Sequence, residues 1–336
     1  MSPAVAGQYL VGMNRLFSGD THPLAIGVGA GAVYGLCARF AASPVAETSS
    51  AFGLGLFVMT LAFLFVVPFV IGYLTVRPAR NPSLVYRLFA PWLSSVITIG
   101  VAMAVGWEGA ICVAMGAPII LIVSSLGGLA AASDTARNPV VMPLLIVLPY
   151  VVAPIEARRS PPQRFVETVA EIDIDAPPPV VWALVTSVDS IRPEETGPAL
   201  FTRIGFPRPI SATLSAPGVG GIRRARFEHG LTFTETVTTW VPDSLLSFTI
   251  RPNTDSIPPT TLDPHVTIGG RFFDVLTGTY ELHRMSNSRT HLVLRSRHRV
   301  STPFNFYAGW WADRIMRSVQ DNILAVHRLR AEQRRW

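Results

Sequence analysis

The chain has 336 residues and a formal net charge of +6, and all 28 of its basic residues are arginine. Without a lysine it cannot build a Walker-type phosphate loop, a Schiff base or a kinase-type lysine from its own residues. Only 15% of residues are charged and 49% are hydrophobic, too apolar for an ordinary soluble protein.

The charge is also uneven. Residues 1–157 hold six Arg against five Asp and Glu, whereas residues 158–336 hold 22 against 17. An apolar half precedes a basic, polar half, and two domains are expected, 1–157 and 158–336. Both cysteines, Cys37 and Cys112, fall in the apolar half, so the polar half has neither a thiol nucleophile nor a disulfide framework.

In chain order, the first 22 residues carry one arginine and no clear apolar core of a signal peptide. Val5, Leu10, Met13, Leu16 and Phe17 suit either a short helix on a membrane surface or an unstructured terminus. Five apolar segments follow, near 24–42, 51–76, 88–107, 109–132 and 139–155. The second, third and fourth run 26, 20 and 24 positions without a charge, and about 20 apolar residues cross a hydrocarbon core. Segment 24–42 is long enough if Arg39 snorkels to the interface. Segment 139–155 has 17 residues, with Pro143, Pro149 and Pro154 inside; prolines are tolerated in lipid-buried helices, but the run is short. The expectation is an all-α, multi-span integral membrane domain of four or five helices.

Gly27, Gly31 and Gly35 recur every four residues and share a helix face. Such a face lets a second helix approach closely, either within the chain or in a homo-oligomer. No Asp, Glu, Lys or His interrupts a long apolar run, which favours an anchor or scaffold over a transport path. The loop 77–87 has Arg77, Arg80 and Arg87, while the connections at 43–50 and around Glu108 have no arginine. That bias puts 77–87 on the cytoplasmic side of a bacterial-type inner membrane. An even number of crossings then places Arg158, Arg159 and Arg164 on the same side, and a cytoplasmic polar domain is expected. Between the halves, Ala157–Arg164 holds Pro161-Pro162 and reads as a stiff spacer, whose arginines flank the membrane or meet anionic headgroups.

The polar half begins with alternation over Phe165–Asp175, with Val166, Thr168, Ala170, Ile172 and Ile174 on one face of a strand. Pro177-Pro178-Pro179 breaks it, and Val180–Val188 reads as a short helix carrying Trp182. Strand-like runs follow at 210–214, 221–229, 231–241, 244–251, 271–283 and 290–300, with turn residues His229-Gly230 and Pro242-Asp243 between them. A long helix closes the chain, capped at Thr302-Pro303, with Phe304, Tyr307, Trp311, Ile315, Val319, Ile323 and Val326 near one face. A run of antiparallel strands with one long helix buries that helix against the sheet.

Three stretches carry a family likeness: VETVAEIDIDAPPPVVWALVTSVDS at 166–190, PGVGGIRRARFEHGLTFTETVTTWVPDSLLSFTI at 217–250 and STPFNFYAGWWADRIMRSVQDNIL at 301–324. Over about 165–334 the chain resembles the START-like, or polyketide cyclase and lipid-transport (SRPBCC), superfamily. The resemblance implies an α+β helix-grip fold, a curved antiparallel sheet closing on a long C-terminal helix around an apolar cavity. Members bind lipids, sterols, polyketides or hormones, and some are cyclases or aromatases. No universal catalytic motif exists to carry over, and the membrane half lies outside the resemblance.

Phe233, Glu235, Val237 and Thr239 share one face of their strand. Glu235 is either an acid–base group in an apolar cavity or the partner of a neighbouring arginine such as Arg224 or Arg226. Leu292, Leu294, Ser296, His298 and Val300 share a face, with Arg295, Arg297 and Arg299 opposite. Candidate cavity residues are Trp182, Phe233, Glu235, Val237, Leu294, His298, Tyr307 and Trp311, with Glu235 and His298 the weak catalytic candidates. No metal motif is present, no cofactor is implied, and +5 over 179 residues with interspersed acids is not a nucleic-acid stripe. The expected partners are the lipid bilayer and a hydrophobic small molecule. The functional reading is a membrane-anchored protein that binds, presents or senses a lipid or other apolar molecule. The alternatives are a cyclase-like enzyme and a regulatory or assembly protein.

Overall fold

The computed structural model describes residues 21–42, 58–133, 140–253 and 267–333. The surface helix expected from Val5 to Phe17, the connection 43–50, Arg15, Arg137 and most of the loop 252–270 lie outside the described residues. The chain divides into two compact units, Met1–Glu108 with Cys112–Ser160, and Gly109–Ile111 with Pro161–Trp336.

The first unit is helical. It comprises α1 (Thr21–Ala41), α2 (Ala62–Val76), α3 (Leu84–Ala104), α4 (Ala110–Ala130) and α5 (Val141–Arg158). Four of these, α1, α3, α4 and α5, are long and apolar enough to cross a membrane, and α2 is shorter. Two expectations change. Residues 51–57 of the segment 51–76 lie outside the described residues, and the remainder contains the shorter helix Ala62–Val76, which opens with a π-helical turn at Ala62–Val66. Glu156 accepts hydrogen bonds from the amides of Leu61, at 2.7 Å, and Ala62, so the helix has a carboxylate cap there. The short segment 139–155 instead runs as an 18-residue helix through Arg158, despite Pro149 and Pro154 inside it.

Helix α2 is the centre of this unit, with Val67, Val70, Ile71, Tyr73 and Val76 buried. Small residues let its neighbours approach. A Cβ on Gly27 would collide with the Thr75 carbonyl, and one on Gly31 would stand 2.9 Å from both the Ile71 carbonyl and Ser94 Oγ. A Cβ on Gly35 would meet Thr98 Oγ1 at 2.6 Å. Of the two uses expected for the Gly27/Gly31/Gly35 face, packing within the chain or against a second copy, the structure shows the first: α2 and α3 lie against it. Gly72 and Gly127 make the same kind of contact between α2 and α4, against the Ser124 and Phe69 carbonyls. Hydroxyls tie the helices together: Thr75 Oγ1 lies 2.7 Å from Ser94 Oγ, and Trp92 Nε1 donates to Ser125 Oγ at 2.9 Å.

Arg39 does not snorkel. It is buried, its Nε donates to Glu108 at 2.6 Å, and its Nη2 donates to the Trp107 carbonyl. Glu108 supplies the counter-charge that makes burial tolerable. The Arg39–Glu108 and Glu156–Leu61 contacts gather the ends of α1 and α5, the start of α2 and the α3–α4 turn at one end of the bundle. The arginine loop 77–87 follows the far end of α2.

The second unit is α+β. Its sheet has seven antiparallel strands in the order β1-β7-β6-β5-β4-β3-β2. They are β1 (Arg164–Ile174), β2 (Pro209–Leu214), β3 (Ile222–Phe227), β4 (Thr232–Val241), β5 (Leu245–Asn253), β6 (Phe273–Ser286) and β7 (Arg289–Val300). Helices α6 (Pro178–Thr186) and α7 (Leu200–Arg203) separate β1 from β2, and α8 (Asn305–Gln333) ends the chain. The turns expected at His229-Gly230 and Pro242-Asp243 adopt left-handed backbone, with φ of 57° and 82° at the first pair and 62° at Asp243. Helix α8 packs on β1, β7 and α6, so the architecture is the sheet-and-helix grip that the resemblance implied.

The long helix differs from its predicted face. Val319 and Val326 are buried, but Tyr307, Trp311, Ile315 and Ile323 are only partly so. Ala308, Gly309, Ala312, Gln320, Asn322, Leu324, His327 and Ala331 are buried instead. Small residues in the first turns permit close approach to β1, where a Cβ on Gly309 would lie 3.7 Å from Arg164 Nη1. The helix also starts later than the Thr302-Pro303 cap suggested. Asn305 Oδ1 accepts from the Thr302 amide at 2.7 Å and holds the preceding turn.

Candidate functional site

The interior between sheet and α8 contains two buried polar groups set among apolar side chains. The first begins on β3. Pleating turns Arg223, Ala225 and Phe227 inward and Arg224 and Arg226 outward. The β3–β4 register sets Arg223 directly opposite Glu235, and Glu235 shares its inward face with buried Phe233 and Val237. Arg223 Nη1 donates to Glu235 Oε2, and both side chains are buried. The ion pair anticipated with an arginine such as Arg224 or Arg226 is thus made by Arg223, because the pleat turns those two outward and the register sets Arg223 opposite Glu235.

The Arg223 guanidinium lies 5.6 Å from the Phe248 ring centroid and 6.0 Å from that of Tyr280. Phe248 can lie flat across β6 because Gly278 leaves room: a Cβ there would be 2.6 Å from the ring. Tyr280 in turn meets His327 of α8 edge to face, centroids 5.9 Å apart. Burial drives the charges here. It pushes Glu235 above the usual carboxylate range, against the pull of Arg223. It also disfavours the Arg223 cation, but Glu235 and Tyr280 outweigh it and raise that pKa. Burial lifts Tyr280 to about 12, and burial followed by repulsion from Arg223 and Arg330 lowers His327 to about 3. At neutral pH the hydrogen-bonded Arg223–Glu235 pair thus sits beside a neutral phenol and a neutral imidazole.

The second group lies along β1, β7 and α8. Gln320 Nε2 donates to the Thr168 carbonyl at 3.0 Å and to Ser296 Oγ at 2.9 Å. Thr168 Oγ1 donates to Asp313 Oδ1 at 2.8 Å. His298, fully buried on the same strand face as Ser296, stacks 5.8 Å from Phe273, and burial lowers it to about 4 against a small opposing effect of Asp313. No hydrogen bond or ion pair joins His298 to Glu235, so the structure does not assemble these two into one acid–base pair.

Several buried polar atoms find no protein partner: both ring nitrogens of His298 and of His327, Arg223 Nε, Gln320 Oε1, Asn322 Oδ1 and Trp311 Nε1. Each such group costs about 1–3 kcal/mol, and their concentration in one interior is what a site for a polar ligand group would leave. Of the remaining candidates, Trp182 packs edge to face on Trp240 at 5.0 Å, and Leu294 is buried opposite Ala170 and Tyr280. Tyr307 and Trp311 sit half-buried on α8. Sequence reasoning missed Arg223, Tyr280, Gln320 and His327. One signal was present: Asp313, Gln320 and His327 are seven residues apart, two helical turns, and so form one polar stripe on α8.

The arginines of β7 fasten the outer face. Arg295 pairs with Glu281 at 2.7 Å and Glu167 at 3.2 Å, Arg297 lies over Phe165, and Arg299 donates to the Gly270 and Arg271 carbonyls. Among the described residues no group of three or more His, Cys, Asp or Glu gathers as a metal site.

No family model matches the chain, and no curated protein matches it. Solved structures do. An aromatase/cyclase from a Streptomyces species is 17% identical, with 52% of this chain and 96% of that one covered at a TM-score of 0.32. A START superfamily protein from Mycobacterium smegmatis is 10% identical, with 50% and 97% covered at 0.33. An uncharacterized protein from Rhizobium leguminosarum is 15% identical, with 51% and 99% covered at 0.31.

Proposed function

We propose that this chain is a multi-pass protein of a bacterial-type cytoplasmic membrane whose C-terminal domain binds a small hydrophobic molecule between its sheet and α8, and holds, presents or senses it. The observation that carries the reading is the set of fully buried, unpartnered polar atoms, above all the ring nitrogens of His298 and His327, within an apolar grip of sheet and helix. A molecule with an apolar body and one or two hydroxyl or carbonyl groups would cover the apolar surface and satisfy those atoms. Neutral imidazoles suit this, since each offers one donor and one acceptor. The four long apolar helices support residence in a membrane.

The reading is tested on the purified full chain. Organic-solvent extracts analysed by mass spectrometry should yield a bound amphipathic molecule in near-stoichiometric amount, and His327→Leu should reduce its retention. An empty extract together with no uptake of fluorescent lipid analogues from vesicles would overturn it. The arginine count supports a polar domain on the same, cytoplasmic face as the loop 77–87. Impermeant labelling of cysteines placed at Arg80 and Val219 in oriented vesicles should then reach both from one side, and labelling from opposite sides would overturn that placement.

A further inference from the structure

We infer that the first turns of α8 form a docking surface for an anionic bilayer. Phe306 and Trp310 occupy positions i and i+4 of this helix and are 74% and 49% exposed, so they form an apolar stripe facing out of the domain. Arg314, one turn further on, sets its guanidinium 4.2 Å from the Trp310 ring centroid. An exposed phenyl, an indole and an arginine in line are the side-chain chemistry of a membrane interface, where aromatic rings sit at headgroup level and arginines meet lipid phosphates.

The covalent structure identifies the occupant. The start of α8 is pinned to the linker: Asn305 Nδ2 donates to the Pro162 carbonyl at 2.6 Å, and Arg164 lies against Gly309. Pro162 is only four residues beyond Arg158, the last residue of apolar α5, a reach of about 14 Å at full extension. Whatever surface α5 emerges from, the Phe306–Trp310 stripe is held close to it. The linker is matched in charge, since residues 157–166 include Arg158, Arg159 and Arg164 and no acid. Asp313, the acid nearest the stripe in sequence, is engaged by Thr168. Apolar side chains at the interface and arginines beside lipid phosphates would together restrain the domain against the membrane.

The inference rests on the membrane reading of the helical unit, and its test separates the two. The full chain, with Cys37→Ser and Cys112→Ser, is labelled with a nitroxide at Phe306→Cys or, as a control, at Val219→Cys, which is 71% exposed on the hairpin before β3. Each is reconstituted at one chain per nanodisc of phosphatidylcholine and phosphatidylglycerol. The label at 306 should be several-fold less accessible to a water-soluble relaxation agent than the label at 219. Trp310→Ser with Arg314→Glu should restore much of that accessibility. Equal accessibility at 306 and 219, with the chain still resistant to alkaline extraction from membranes, would overturn the docking while leaving the anchor intact. Loss of the chain on alkaline extraction would overturn the anchor itself.

Discussion

The two units of this chain are built inside out with respect to each other. In the helical unit, Ile26, Val33, Phe40, Ile122 and Leu144 point outward, while Thr75, Ser94, Ser95 and Ser124 are wholly buried. In the α+β unit, Leu231, Leu246, Leu292 and Leu324 are buried and the charged side chains lie mostly outside. Apolar exteriors around hydroxyl-bearing seams are stable where the solvent is hydrocarbon, because there only packing and hydrogen bonds drive helices together. Apolar interiors under arginine-rich exteriors are stable in water. The contrast shows that burial must be judged against the solvent each unit meets. By that measure the polar interior of the second unit, and not that of the first, is the anomaly that points to function.

The comparison can be broken at its strongest points. Glu235→Ala strands Arg223 as a buried, uncompensated charge and should cost about 3–5 kcal/mol, read as denaturant unfolding of the full chain in detergent. Replacing both partners, Arg223→Met with Glu235→Leu, should recover most of that loss. If Glu235→Ala leaves stability unchanged, the buried pair is not formed. In the helical unit the equivalent lesion is steric. Gly127→Val would drive a side chain into the Phe69 carbonyl and should cost about 1–3 kcal/mol, seen as loss of disulfide cross-linking between cysteines engineered into α2 and α4.

A third test uses pH. His298 and His327 have pKa values of about 4 and about 3 in the folded chain against an ordinary 6.5. Below pH 6.5 the unfolded chain takes up protons that the folded chain refuses, so stability must fall as pH drops from 6.5 toward 4 and is unaffected by these groups above 6.5. The slope is at most about 1.4 kcal/mol per pH unit for each histidine. Unfolding at pH 7.5, 6.5 and 5.5 should show it, and His327→Leu should remove one share. A flat profile would mean that the imidazoles are not held neutral. The smallest effect belongs to Thr75→Val, which removes the hydroxyl between α2 and Ser94 and should cost about 0.6 kcal/mol, measurable by a double-mutant cycle with Ser94→Ala.

Much of the second unit was legible in the sequence. The alternation of β1 and β7 gave the correct faces, because a half-buried strand repeats its side chains with a period of two. Inward placement of Leu292, Leu294, Ser296, His298 and Val300 follows from that period alone. The partner of Glu235 did not follow, since choosing among Arg223, Arg224 and Arg226 needs the register between two strands. The α8 face was misjudged for a related reason. Large apolar residues such as Tyr307 and Trp311 dominate the periodic pattern, whereas the sheet selected the small Ala308 and Ala312, Gln320, which hydrogen-bonds to β1 and β7, and His327, which packs on Tyr280.

The sequence by itself determined the division into an apolar and a basic half, the helical character of the first, the succession of strands along the second and the exclusion of lysine chemistry. These depend on composition and on local period, which survive without knowledge of any neighbour. Only the tertiary structure decided that Gly27, Gly31 and Gly35 serve contacts within the chain, that Arg39 is neutralised by Glu108, and that Arg223, Glu235, Tyr280 and His327 meet in one interior. Each of those is a pairing between residues far apart in sequence, and the free energy of such a pairing depends on which groups the fold brings within reach.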